Sequence, residues 1–263
     1  MTVIKIFERP KLTRPILIEG LPGIGNIGRV SVDYLIQQLN AKLFAELYSE
    51  HFFPFVVLKE KWHVELLKNK FYYWKGQKAG QRDIIFLTGD CQSLSPNGHY
   101  DVCEKIIEFA AQLGVKDIIT VGGLATGEFE EKPKVFGAAT SKDVMEKYKN
   151  FGIEFKVGEK VGYIVGAAGL LIGLGVYRNI NGLCILGQTS GFPIVTDPKA
   201  AEVVLGILSK ILNIKIDMSK LDERVKEMEK FIKKIEELQQ KALSQIAKEE
   251  RAPATKEQLR YIG

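Results

Sequence analysis

Residues 15–28 read Pro-Ile-Leu-Ile-Glu-Gly-Leu-Pro-Gly-Ile-Gly-Asn-Ile-Gly, and the fold is decided there. Pro15–Glu19 is a short apolar strand that Gly20 stops. Asn26–Leu39 follows with apolar residues at helical spacing, among them Ile27, Val30, Tyr34 and Leu35. Strand, glycine turn and helix in succession begin an α/β unit, and the same grammar recurs downstream. Ala41–Tyr48 reads as the next strand, Asp83–Leu87 and Asp117–Val121 as fully buried strands, and Gly182–Leu186 as the last. An amphipathic helix over Asn97–Leu113 is closed by Gly114, and another starts at Asp197-Pro198 and runs to Leu212. Buried strands separated by helices predict an α/β fold with a mostly parallel sheet flanked by helices. Phe55–Lys59, Trp62–Leu67 and Phe71–Lys75 are β-type runs with turn residues between them, and predict an inserted antiparallel meander.

Working outward, glycine divides the 263-residue chain: 24 of its 25 glycines lie at or before Gly206. The boundaries that follow are an α/β body over 1–213, an amphipathic heptad helix over 214–250, and a tail over 251–263 that begins with the helix-breaking Arg-Ala-Pro-Ala-Thr. The net charge of +5 is mild and not gathered into a basic face, which argues against a nucleic-acid partner. The most apolar stretch, Val161–Val176, carries five glycines and is shorter than the ~20 residues of a membrane span. Three cysteines without a CxxC pair fit free thiols in a reducing compartment, and the N-terminal residues lack a signal-peptide core. The expectation is a cytoplasmic protein with neither membrane nor nucleic acid as partner.

From Leu221 the pattern is heptad. Leu221, Met228 and Ile235 recur every seven residues, and Val225 and Ile232 interleave. A long C-terminal helix with one apolar seam must bury it, on its own body or on a second copy. Self-association through Leu221, Val225, Met228, Ile232 and Ile235 is the reading adopted, and it makes the protein a homo-oligomer.

Gly23-Ile-Gly25-Asn-Ile-Gly28 matches the GxGxxG spacing of dinucleotide sites, between a strand and a helix where backbone N–H groups suit a phosphate. The acidic ribose partner about 20 residues on is poorly placed, since Glu46 lies within the second strand. Such a turn also serves to let a helix pack closely on a strand. Asp90 and Glu128 each follow a glycine-rich strand end and could do acid–base work. Together Gly23, Gly25, Gly28, Asp90 and Glu128 make up the possible ligand pocket of a nucleotide- or phosphate-binding enzyme, the alternative reading. Cys91, His99 and Cys103 match no zinc spacing, so no metal is expected, and no other cofactor is implied. Phe52, Phe53, Phe55, Trp62, Phe71, Tyr72, Tyr73 and Trp74 cluster either as core or as a contact surface.

Six stretches, taken together, resemble the proteasome assembly chaperone 2 family. They are Gly20–Gly28, Gly89–Gln92, Gly122–Gly127, Gly166–Gly173, Leu186–Thr189 and Asp197–Ala201. The resemblance covers about residues 14–212 and is nearest to archaeal members. It implies a nucleoside-phosphorylase-like body without established catalysis, and homo-oligomers that act on the proteasome α-ring. It also implies a use for the tail, since proteins docking on that ring often end in a hydrophobic–Tyr–any motif. Here Tyr261 stands third from the end, and Leu259, Tyr261, Ile262 and Gly263 become the expected partner-binding residues. The expectation is a non-enzymatic, ATP-independent chaperone or activator that binds the α-ring through its C-terminal tails.

Overall fold

In the computed structural model, the described residues are 1–59, 62–127, 132–155, 162–191, 196–223 and scattered positions between 225 and 244. Glu128, Met228, Ile232, Ile235 and the tail over 251–263 lie outside them.

Eight strands form one sheet in the order β1-β3-β6-β7-β2-β8-β10-β9. They are β1 (Thr2–Ile6), β2 (Ile16–Glu19), β3 (Lys42–Ser49), β6 (Asn69–Trp74), β7 (Ile84–Gly89), β8 (Asp117–Ala125), β9 (Val135–Ala139) and β10 (Asn181–Thr189). The central four, β7-β2-β8-β10, are parallel, with Ile18 opposite Phe86 on one side and Ile119 on the other. These are the uniformly apolar runs, and both faces of them are covered. The outer pairings β1/β3, β3/β6, β6/β7 and β10/β9 are antiparallel, so the sheet is mixed rather than mostly parallel.

The expected meander is also corrected. Only β4 (Val56–Leu58) and β5 (Val64–Leu66) make a separate hairpin, whereas β6 enters the main sheet between β3 and β7. The aromatic cluster splits accordingly. Phe71, Tyr73 and Trp74 on β6 are core, while Trp62 at the hairpin is 77% exposed beside the exposed Val56, Leu58, Val64 and Leu66.

Helices α2 (Pro96–Gln112) and α4 (Ala167–Val176) cover one face of the sheet. Helices α1 (Ile27–Gln38) and α5 (Pro198–Leu212) cover the other, and α3 (Lys142–Tyr148) packs beside β9 and β10. Side-chain caps set the starts of three of them, with Ser141 accepting from the Val144 amide at α3 and a cap followed by proline at the other two. Ser95 accepts from the Gly98 amide at 3.1 Å with Pro96 at the first helical position, and Asp197 accepts from the Ala200 amide at 3.0 Å with Pro198 in the same role. Each face carries its own core, with Phe44 and Leu87 packed with Ile106 of α2 on one side, and Ile18 and Phe86 packed with Leu205 of α5 on the other.

The described positions between 221 and 244 are helical. Leu221 and Val225, 3% and 2% exposed, are buried in the core of the α1/α5 face. The start of the heptad seam is therefore closed on the chain's own body. This corrects the assignment of these two residues to an intermolecular contact, because a side chain already buried within its own chain has no apolar surface left to offer a second copy. The Lys234 ammonium farther along donates to the Leu58 carbonyl at 3.3 Å, against the β4–β5 hairpin.

Candidate functional site: two clefts at the strand ends

In open α/β sheets ligands sit outside the carboxyl ends of the parallel strands. Here that edge carries two clefts, one on each face. The larger, about 590 Å³, lies between β2, β8 and β10 and the α2–α4 layer. Five of the six stretches singled out in the sequence contribute to it, through Gly23, Gln92, Gly122, Gly166 and Leu186. Gln92 spans its rim, where its Nε2 donates to the Pro22 carbonyl at 2.7 Å and its Oε1 accepts from the Ala167 amide at 2.9 Å. That second bond caps the first turn of α4 and ties it to the Gly20–Gly28 turn.

The chemistry of this cleft centres on Glu19, the last residue of β2, which is 1% exposed. Its Oε1 accepts from the Leu21 amide at 2.9 Å, while Oε2 has no hydrogen-bond partner among the described residues. Burial pushes the carboxyl up from 4.5 to about 8, against the opposing pull of the Leu21 and Val121 backbone. Glu19 is thus predominantly protonated at neutral pH. Burial also lowers His99, on the α2 wall, so its imidazole favours the neutral form. No lysine or arginine lines the cleft among the described residues, and most of the remaining wall is aliphatic.

The smaller cleft, about 220 Å³, lies on the α1 face and is lined by Arg29, Asp33, Lys70, Tyr72 and Asp90 among others. It is charged and largely satisfied from within. Arg29 sits 3.6 Å from Asp33 and 3.9 Å from Asp90, whose other oxygen accepts from the Lys68 amide at 3.2 Å. Burial, then the negative charge of Asp33, pushes Tyr72 up to about 12.

The ligand pocket expected from sequence is consequently not assembled. Gly23 lines the larger cleft, Asp90 the smaller one on the opposite face, and neither Gly25 nor Gly28 lines either; Glu128 lies outside the described residues. Of the GxGxxG motif's glycines, Gly25 takes a left-handed φ of 63°, and Gly28, with Gly20 just before the motif, permits close packing. A Cβ on Gly28 would stand 2.2 Å from the Val121 carbonyl oxygen, and one on Gly20 would stand 2.1 Å from the Gly28 oxygen. Helix α1 thus lies directly on β8, and among the described residues the phosphate reading finds no cation beside the turn in the larger cleft. Cys91, Cys103 and Cys184 are buried free thiols, each pushed up to about 12 chiefly by burial, and no group of three metal-ligating side chains occurs among the described residues.

Sequence reasoning missed Glu19 as a site residue. Its signal was a lone carboxylate closing an otherwise apolar buried strand directly before a glycine, a position where desolvation has to act on the charge.

Comparison with known proteins defines the class. The PAC2 family model matches residues 17–236, and the chain belongs to the PAC2 family. Within it, the chain is similar to the Methanocaldococcus jannaschii protein MJ1210, 37% identical over 98% of this chain and 96% of that one. Among solved structures it is similar to Pyrococcus furiosus PbaB, described as an archaeal proteasome activator, with 43% identity, TM-score 0.81, and coverage of 89% of this chain and 98% of that one. P. furiosus PbaA, described as an archaeal homolog of proteasome-assembly chaperone, shares the fold at TM-score 0.73 and 22% identity, covering 92% of this chain and 99% of that one. Among the described residues no helix is long and apolar enough to cross a membrane.

Proposed function

We propose that this protein is a non-enzymatic, ATP-independent chaperone or activator of the proteasome that binds the α-ring as a homo-oligomer. The observation that carries the reading is the 43% identity to PbaB, a proteasome activator, sustained over 89% of the chain at TM-score 0.81. The α/β body, of nucleoside-phosphorylase type, serves as a scaffold and not as a catalyst. The separation of Gly23 from Asp90 onto opposite faces supports this, because a ligand held at the Gly23 turn lies out of reach of Asp90 as its base.

Docking is assigned to the segment 251–263, with Leu259, Tyr261, Ile262 and Gly263 entering an apolar pocket of the ring. Several such tails on one oligomer raise the apparent affinity by avidity, about 10²-fold or more, without any new contact. Copies associate through the part of the heptad seam beyond Val225, at Met228, Ile232 and Ile235, since Leu221 and Val225 are used within the chain.

The test is a pull-down of archaeal proteasome α-rings with full-length protein and with residues 253–263 deleted. Full-length protein should retain the rings and the deletion should lose at least about tenfold. Equal retention by both removes the tail from the mechanism, and retention by neither removes the partner.

A further inference from the structure

We infer that the cleft at the carboxyl ends of β2, β8 and β10 is a binding site for an uncharged, largely apolar small molecule that presents a hydrogen-bond acceptor to the Glu19 carboxyl. The inference does not rest on the proteasome reading, because the cleft belongs to the body and needs no tail.

At about 590 Å³ the cleft falls within the range of sites for drug-sized ligands, about 300–1,000 Å³. Its walls follow the pattern of such sites, with aliphatic side chains such as Leu21, Val121 and Leu124 surrounding a few polar groups. Of these groups, the Gln92 amide is committed at both ends. Glu19 is not, for its Oε2 is buried, unpartnered and part of the cleft lining. A protonated carboxyl bonded to the Leu21 amide through Oε1 has one O–H left to donate from Oε2. Among the described residues that proton has no acceptor, and a ligand carbonyl or ring nitrogen supplies one. His99 offers a second, neutral polar contact, and its ring makes no hydrogen bond among the described residues.

Charge selects further. Among the described residues, phosphate and carboxylate ligands meet no lysine or arginine here and face a buried carboxyl. An ammonium ligand would have to draw the proton off Glu19, whose surroundings favour keeping it near neutral pH. An uncharged molecule asks for neither.

The test is ligand-observed NMR with full-length protein, using benzamide and 2-pyridone as uncharged probes and benzoate and benzylammonium as charged counterparts. Saturable binding of an uncharged probe with Kd on the order of 1 mM is expected, the affinity ordinary for about ten heavy atoms. It should weaken about tenfold between about pH 6.5 and about pH 9, as Glu19 ionises through about 8. Glu19→Gln keeps a donor that cannot ionise and should bind with a flat pH profile. Gly23→Leu projects into the mouth from an extended residue (φ −169°) whose Cβ meets nothing nearer than the Gln92 amide at 3.9 Å, and should lose at least about tenfold while unfolding at the wild-type temperature. No binding of either uncharged probe by the wild type, tighter binding of benzoate or benzylammonium, or unchanged affinity in Gly23→Leu would each overturn the inference.

Discussion

The two clefts at the carboxyl edge of the sheet both draw on the Gly89–Gln92 stretch, the larger through Gln92 and the smaller through Gly89 and Asp90, yet they differ in kind. On the α1 face, Asp90 lies within reach of Arg29 and of the Lys68 amide, so its charge is answered from inside the protein. On the α2–α4 face, Glu19 ends its strand with no countercharge among the described residues, and desolvation wins over two backbone amides. The difference teaches that a carboxylate at a strand end is not by itself a functional sign. An internally paired one holds loops together, whereas an unpaired one stays neutral and leaves a donor to be used.

The sharpest way to break this contrast is pH. The unfolded chain releases the Glu19 proton near 4.5 and the folded chain holds it to about 8, so this group's contribution to stability is complete below 4.5 and is lost as pH rises to about 8. The raised value corresponds to a loss of at most about 5 kcal/mol across that window. Guanidinium unfolding of wild type and Glu19→Gln at both ends of it should show that loss in the wild type only. Parallel pH slopes would place Glu19 in the same category as Asp90.

Between the clefts stands the glycine turn, and Gly28→Ala asks whether it packs or binds. The new Cβ, 2.2 Å from the Val121 oxygen, has to lift α1 off β8, and a loss of about 3 kcal/mol in unfolding free energy is expected. A variant as stable as wild type would return the turn to the ligand-binding reading. The smallest effect belongs to Asp90→Asn. It keeps an acceptor for the Lys68 amide and gives up only a 3.9 Å ion contact, so about 1 kcal/mol is expected from the same titration. A much larger loss would show that the α1-face cleft depends on charge and not on hydrogen bonding.

Much of the fold was legible because burial leaves a local trace. Strands β2, β7, β8 and β10 are apolar without alternation, since helices cover both their faces, and the cap at Asp197 stands beside the proline that opens its helix, whereas the Ser95–Pro96 start of α2 precedes the Asn97 start expected from sequence. What was missed has weak local signals. Helix α4 is Ala-Ala-Gly-Leu-Leu-Ile-Gly-Leu-Gly-Val, and its three glycines hide a helix that packing on β8 and β10 maintains. Strand β9 and the edge strand β1 are short, and their identity as strands comes from their partners β10 and β3. The candidate site was legible only in fragments. Gly23, Gln92 and His99 were each noticed, but for a phosphate, a motif and a metal respectively.

The sequence by itself determined the α/β class, the glycine-rich body, the heptad continuation and the family, because periodicity, capping and motif order are properties of neighbours along the chain. Tertiary structure alone decided which strands run antiparallel, that Leu221 and Val225 turn inward, and that Gly23 and Asp90 stand on opposite faces of the sheet. It also decided that Glu19 keeps its proton. A proton affinity depends on how much water and which charges lie within a few ångströms, and segments distant in the chain, from β8 to α4, set both.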